Sequence, residues 1–273
     1  MKHILYLSIL IGLTTCQKEQ FSIIGMTESF FISSTFVEDD FKIFVYLPSG
    51  YSESNNNYPL IVGLDGDGEF ENMAGIISEQ IQKGNIPSSI FIGIGYGSIS
   101  DNDKKRNRDY TPTETNGVED FETGGAANFY KFIREELMPK MESKYRIDST
   151  RKTLMGHSYG GLFTLFAMFQ ERNNNPFDKF ISVAASFWYD SGSIFEFEKK
   201  YADTHTDFPV KMYTAMGALE GAVMVASFEE MNEILDNRNY ANLKIQHEVL
   251  KNYGHSRSDY ISYQKGLEYV FNN

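Results

Sequence analysis

Ser158 is the residue of this chain best placed for covalent chemistry. It lies in Gly156-His157-Ser158-Tyr159-Gly160-Gly161, after the run Lys152-Thr153-Leu154-Met155 and before Leu162-Phe163-Thr164-Leu165-Phe166-Ala167-Met168-Phe169. An apolar extended run, G-x-S-x-G and an apolar helical run predict a strand, a sharp turn and a helix. Such a turn holds a serine hydroxyl out at the end of a sheet. The start of the following helix favours negative charge nearby. A serine hydroxyl is a weak nucleophile until a base takes its proton.

The sequence offers five histidines as that base. His3 is at the extreme N-terminus, and His157 adjoins the serine in a turn whose consecutive residues point apart. His205 falls in the polar stretch 202–207, and His247 falls inside the last strand, where a structural role is expected. His255, in Asn252-Tyr253-Gly254-His255-Ser256, follows that strand and is the candidate base. An acid that holds the imidazole in one tautomer is expected after the preceding strand. Gly217-Ala218-Leu219-Glu220-Gly221 places Glu220 there, with a solvated loop carboxylate as the alternative reading. Glu229, Glu230 and Asp236 rank lower, because they lie within or after the next helix. The resulting order, serine then acid then histidine, is that of one class of serine catalyst. Backbone N–H groups must also meet the charge that develops on a carbonyl oxygen under attack. The candidates are Tyr159 and the loop Leu64-Asp65-Gly66-Asp67-Gly68, with Asp67 first and Gly66 next.

Alternating elements have to deliver these groups. Residues 29–36 and 41–47 read as an antiparallel hairpin around Glu38-Asp39-Asp40, and 59–64 and 90–95 as strands buried on both faces. Further strands are expected at 180–184, 210–216 and 245–250. Helical periodicity covers 126–145, with a kink at Pro139, and helices follow at 162–171, 223–235 and 258–271. This alternation predicts an α/β fold, a mostly parallel sheet of about eight strands with helices on both faces. Its order matches the α/β-hydrolase layout.

The chain has 273 residues, 41% hydrophobic and 15% aromatic, enough for one large core. A formal charge of −12 excludes nucleic acid as a partner, since phosphate binding needs clustered cations. The densest basic cluster is Lys104-Lys105-Arg106-Asn107-Arg108. Arg108 there either contacts an anionic substrate or pairs structurally with a carboxylate. Trp188, between Phe187 and Tyr189, either stacks on a substrate ring or packs in the core. No Cys/His grouping calls for a metal or other cofactor.

Residues 1–16 read as a lipoprotein-type signal peptide: Lys2, an apolar stretch over 4–13, then Cys16, the single cysteine, as the lipidated residue. One cysteine permits no intrachain disulfide. Residues 17–26 are then a tether and 27–273 the catalytic domain. The expectation is an exported protein held at the bacterial cell envelope by its lipid anchor alone.

Several ordered segments resemble the bacterial putative-esterase family of α/β-hydrolases, which includes ferric-siderophore, feruloyl and acetyl-xylan esterases, S-formylglutathione hydrolases and mycolyltransferases. They are Tyr58-Pro59-Leu60-Ile61-Val62-Gly63-Leu64-Asp65-Gly66, Arg108-Asp109-Tyr110-Thr111-Pro112, and Gly124-Gly125-Ala126 with Glu136-Leu137-Met138-Pro139. The serine hexapeptide and Ser186-Phe187-Trp188 complete the set. The resemblance implies Ser158 as nucleophile, His255 as base and Glu220 as acid, and an oxyanion N–H from the residue after the D-G pair, Asp67. It implies carboxylic-ester hydrolysis of a siderophore or glycan-linked ester through an acyl-enzyme. An acyltransferase of the same fold, or a lipoprotein that only binds a siderophore or glycan, are the alternatives.

Overall fold

A computed structural model describes residues 22–115 and 121–272. The signal segment, Cys16 and residues 17–21 of the expected tether lie outside the described residues. β1 (Gly25–Ser34) and β2 (Asp39–Pro48) form the expected hairpin, paired antiparallel over their whole length. Strand pairing begins at Gly25, so Gly25 and Met26 belong to the sheet and not to the tether. In β2 the alternating Phe41, Ile43 and Val45 are fully buried.

Six further strands follow: β3 (Tyr58–Gly63), β4 (Ile90–Gly95), β5 (Ile147–His157), β6 (Lys179–Val183), β7 (Lys211–Gly217) and β8 (Lys244–Leu250). The sheet order is β1-β2-β4-β3-β5-β6-β7-β8. From β3 to β8 every pairing is parallel, and β2 runs antiparallel to β1 and β4. Every residue of β3 and β4 is buried, which explains their unbroken apolar runs. Parallel strands end on one edge of the sheet, and that edge receives the loops bearing Asp65, Ser158, Glu220 and His255.

Helices α1 (Gly66–Gln82) and α8 (Asp259–Phe271) pack together and against the sheet. A second group comprises α2 (Ile99–Tyr110), α3 (Ala126–Lys131), α5 (Tyr159–Met168) and α6 (Ser193–Ala202). The stretch expected as one kinked helix is α3, a π-helical turn (Phe132–Leu137) and α4 (Met138–Lys144). Pro139 cannot donate to the carbonyl four residues back and its ring crowds that carbonyl; the wider turn just before it accommodates both. It also seats Phe132 against Phe41, with ring centroids 4.2 Å apart.

Three helices depart from the sequence reading. The segment Leu64–Gly68 is not a loop throughout, because α1 starts at Gly66. Its opening Gly66-Asp67-Gly68 has poor helix propensity, which hides the start. The basic cluster, to which no element is assigned from sequence, lies on α2, capped where Ser98 Oγ accepts from the Asp101 N–H at 3.1 Å. Charges all round α2 mask its periodicity. α6 was also unassigned by pattern. α7 (Ala222–Asn237) covers the helix expected over 223–235.

Candidate active site

At the end of β5 the chain reverses into α5 within one residue. Ser158 takes φ 60° and ψ −120°, a conformation that costs an ordinary residue free energy and persists only where its surroundings enforce it. Its N–H donates to Val183 O at 3.0 Å, and its own carbonyl accepts from Leu162 N at 2.9 Å. The strand and helix cross so closely that a Cβ on Gly156 would sit 2.3 Å from Gly160 O. Glycine is therefore obligatory at that position of the motif. The Ser158 hydroxyl meets Ser186 Oγ at 3.4 Å, a neighbour supplied by the Ser186-Phe187-Trp188 segment.

The loops after β7 and β8 bring Glu220 and His255 together. His255 Nδ1 lies 2.7 Å from Glu220 Oε2, and Gly217 N–H donates to Glu220 Oε1 at 2.8 Å. The Glu220 side chain is 1% exposed, the His255 side chain 44%. Burial pushes the Glu220 carboxyl up, but hydrogen bonds from His255 and the Gly217 amide more than offset it, and the group sits below its ordinary range. Since the carboxylate can only accept, Nδ1 carries the proton and Nε2 of neutral His255 keeps its lone pair. The two loops are also tied to each other: Leu219 N–H donates to Tyr253 O at 2.9 Å, and Ala218 N–H to Leu250 O at 3.0 Å.

His157 is no bystander. Its Nε2 lies 2.9 Å from the His255 carbonyl, and the two rings are 4.6 Å apart. A carbonyl only accepts, so Nε2 of His157 carries the proton. Burial, and then repulsion from His255 whenever that ring is protonated, lower the His157 pKa. Sequence reasoning set this residue aside; adjacency to the serine gave no sign of a contact 98 residues away. Of the other histidines, His205 stacks on Tyr201 and faces Glu171 at 3.3 Å, and His247 faces Asp236 at 3.2 Å.

At the start of α1, Asp65 has φ 57° and caps the helix. Its N–H donates to Tyr110 Oη at 3.1 Å, and its carbonyl accepts from Gly68 N at 3.2 Å and Glu69 N at 3.0 Å. Gly66 and Asp67 open α1, and Tyr159 opens α5. The Asp67 carboxylate accepts from the N–H groups of Tyr96 and Gly97 and is thereby committed to the end of β4. Burial raises its pKa. The Asp65 carboxylate is clamped by Arg106, with Nε at 2.7 Å and Nη2 at 3.1 Å, and by Asn102 Nδ2 at 3.1 Å.

Of the two residues expected at the substrate, Arg108 is committed elsewhere. Its guanidinium binds Asp109 at 2.7 and 3.0 Å and Asp39 at 3.1 and 3.2 Å. This is the structural pairing that stood as the alternative, and it replaces a role in substrate binding. Trp188 is 46% exposed, with its ring 5.8 Å from that of Tyr159, at the mouth of the site and not in the core. Among the described residues no group of His, Cys, Asp and Glu is disposed to hold a metal ion, and no helix is long and apolar enough to cross a membrane.

The fold and the sequence have counterparts among known proteins. The family model described as "Putative esterase" matches residues 33–266. The ferri-bacillibactin esterase BesA of Bacillus subtilis is 30% identical over 207 residues, covering 71% of each chain. The crystal structure of the BES protein from Bacillus cereus superposes with a TM-score of 0.80 at 28% identity, covering 95% of this chain and 100% of that one. An IroE-like serine hydrolase from Shewanella oneidensis shares the fold, with a TM-score of 0.82 at 24% identity over 90% of this chain and 80% of its own. The chain belongs to the putative-esterase family of α/β-hydrolases and is a carboxylic ester hydrolase.

Proposed function

We propose that the protein hydrolyses a siderophore-type ester through a covalent acyl-enzyme on Ser158. The observation that carries this reading is the contact of His255 Nδ1 with Glu220 at 2.7 Å, on the sheet edge that also bears the strained Ser158. With Nδ1 protonated, Nε2 of His255 takes the Ser158 proton as Oγ attacks the ester carbonyl. The buried Glu220 carboxylate stabilises the imidazolium that forms. The N–H groups of Tyr159 and Asp67, with Gly66 as the alternative to Asp67, hold the tetrahedral oxyanion. The imidazolium then protonates the leaving alcohol, and water activated by the same histidine releases the acid and restores Ser158.

The siderophore assignment is supported by the name of the Bacillus subtilis relative. It is tested by incubating the soluble domain with an iron-free cyclic catecholate trilactone and following its mass. The reading predicts a gain of one water per ester cleaved, and none with Ser158→Ala. An intact trilactone in the presence of enzyme that cleaves small aryl acetates would refute the siderophore assignment and leave the esterase. Export and lipidation at Cys16 remain part of the proposal, resting on the basic and apolar pattern of residues 1–16. Mass analysis of the membrane fraction, showing an acylated N-terminal Cys16, tests it.

A further inference from the structure

Beside Trp188 a groove of about 800 Å³ runs between α6 and α7. That volume suits one arm of a drug-sized ligand or larger. Phe187, Trp188, Phe195 and Phe197 give it an aromatic wall, and Val223, 71% exposed, forms its opposite lip. The wall adjoins the site through Trp188, whose ring lies 5.8 Å from that of Tyr159, the residue after Ser158. A turn with Asp190 at φ 44° and Ser191 at φ 53° closes one end. Such strained turns are kept where they position something.

The charges of this groove are one-sided. Asp190, Glu196 and Glu230 line it, and none of them enters an ion pair among those of the described residues. Lys200 is the one cation in the lining, and it lies over the Phe197 ring at 5.4 Å. Arg106 and Arg108 lie outside the lining and are paired, Arg106 with Asp65 and Arg108 with Asp39 and Asp109. Arg257, exposed two residues beyond His255, lies outside the lining. A smaller cavity beside His157 is lined by Asp65, Glu69, Asp103 and Asp259, with Arg106 its one arginine.

We infer that this groove is the specificity subsite of the esterase and takes an aromatic or apolar arm carrying no negative charge. The inference rests on the esterase reading of Ser158 and narrows its substrate class. A ferric tris-catecholate is a trianion and would meet unpaired carboxylates here. The iron-free catecholate, or a neutral ferric hydroxamate, would not. Substrate choice is thus set by repulsion of the wrong charge as much as by stacking of the right ring.

The test uses three naphthyl acetates that differ only in a remote substituent: none, a sulfonate or a trimethylammonium. We expect KM for the sulfonate to exceed that for the trimethylammonium ester by about fivefold or more at low salt, with the gap closing near about 1 M salt. The variant Asp190→Asn/Glu196→Gln/Glu230→Gln should shrink the ratio towards one, and Lys200→Gln should widen it. Circular dichroism establishes that each variant is folded. A wild-type preference for the sulfonate, or a ratio unmoved in both folded variants, would overturn the inference. Because these probes contain no siderophore, that result is separate from failure of the siderophore assignment, and loss of all three activities would instead indict the serine mechanism. The matched comparison of a catecholate trilactone with its ferric complex should then favour the iron-free form.

Discussion

Glu220 reaches His255 with one carboxylate oxygen and the Gly217 amide with the other, at 2.7 and 2.8 Å. The first contact sets the tautomer of the base; the second fixes the acid so that it cannot turn away. Glu220→Gln preserves shape but can present an N–H to Nδ1, which selects the wrong tautomer. We predict a fall in kcat of about a thousandfold or more, with KM changed little, as for the equivalent change in other triads. Steady-state kinetics on an aryl acetate decide it. A loss below tenfold would remove Glu220 from the catalytic set.

The His157 contact gives a pH prediction. His157 has its pKa lowered from the ordinary value of 6.5 by burial and by His255, so the unfolded chain takes up this proton at higher pH than the folded one. Between the ordinary and the lowered value the unfolded state binds more protons. Stability therefore falls as pH drops through that interval and levels out below it. His157→Gln, which keeps an N–H donor for the His255 carbonyl, should flatten this stretch of the Tm–pH curve. His157→Ala, which frees the base loop, should also lower kcat by about ten- to hundredfold. Thermal melts across the range and kinetics at neutral pH check both, and an unaltered slope in the Gln variant would contradict the first.

Arg106→Met should destabilise by about 3 kcal/mol, because it strands the largely buried Asp65 carboxylate with only Asn102 as a side-chain donor. For a chain of this size that is a Tm drop of about 6–12 °C. Arg106→Lys should recover only part of it, since an ammonium cannot make the two-point contact. A melt within a degree of wild type would show that the pair is dispensable.

Two glycines should respond oppositely to alanine. Gly156→Ala would press a Cβ to 2.3 Å from Gly160 O and should abolish activity together with much of the stability. Gly68→Ala meets nothing within 4 Å and lies inside α1, so it should leave Tm unchanged or raise stability by about 0.5–1 kcal/mol. Melting temperatures and activity of the two variants give the comparison.

What the sequence made legible was what repeats or alternates. The apolar runs of β3 and β4 and the sheet class could be read because burial on both faces leaves a direct trace in residue type. Ser158, Glu220 and His255 could be located because each follows a strand in a fixed order. α1 and α2 were not, since one begins with glycines and the other is charged on every side. Arg108 illustrates a different limit. Its partner Asp39 is 69 residues away, so residue type alone favours a structural ion pair over a substrate contact but does not name the partner. The His157–His255 contact and the one-sided charge of the groove are likewise products of tertiary packing, and no local pattern encodes them.

The central claim is that Ser158 is an activated nucleophile, and intact-mass analysis after a fluorophosphonate probe tests it most directly. The account predicts a single adduct on the wild-type protein, mapped to Ser158, absent from Ser158→Ala and slowed in Glu220→Gln. A folded wild-type protein that stays unmodified, or an adduct that persists in Ser158→Ala, would contradict it.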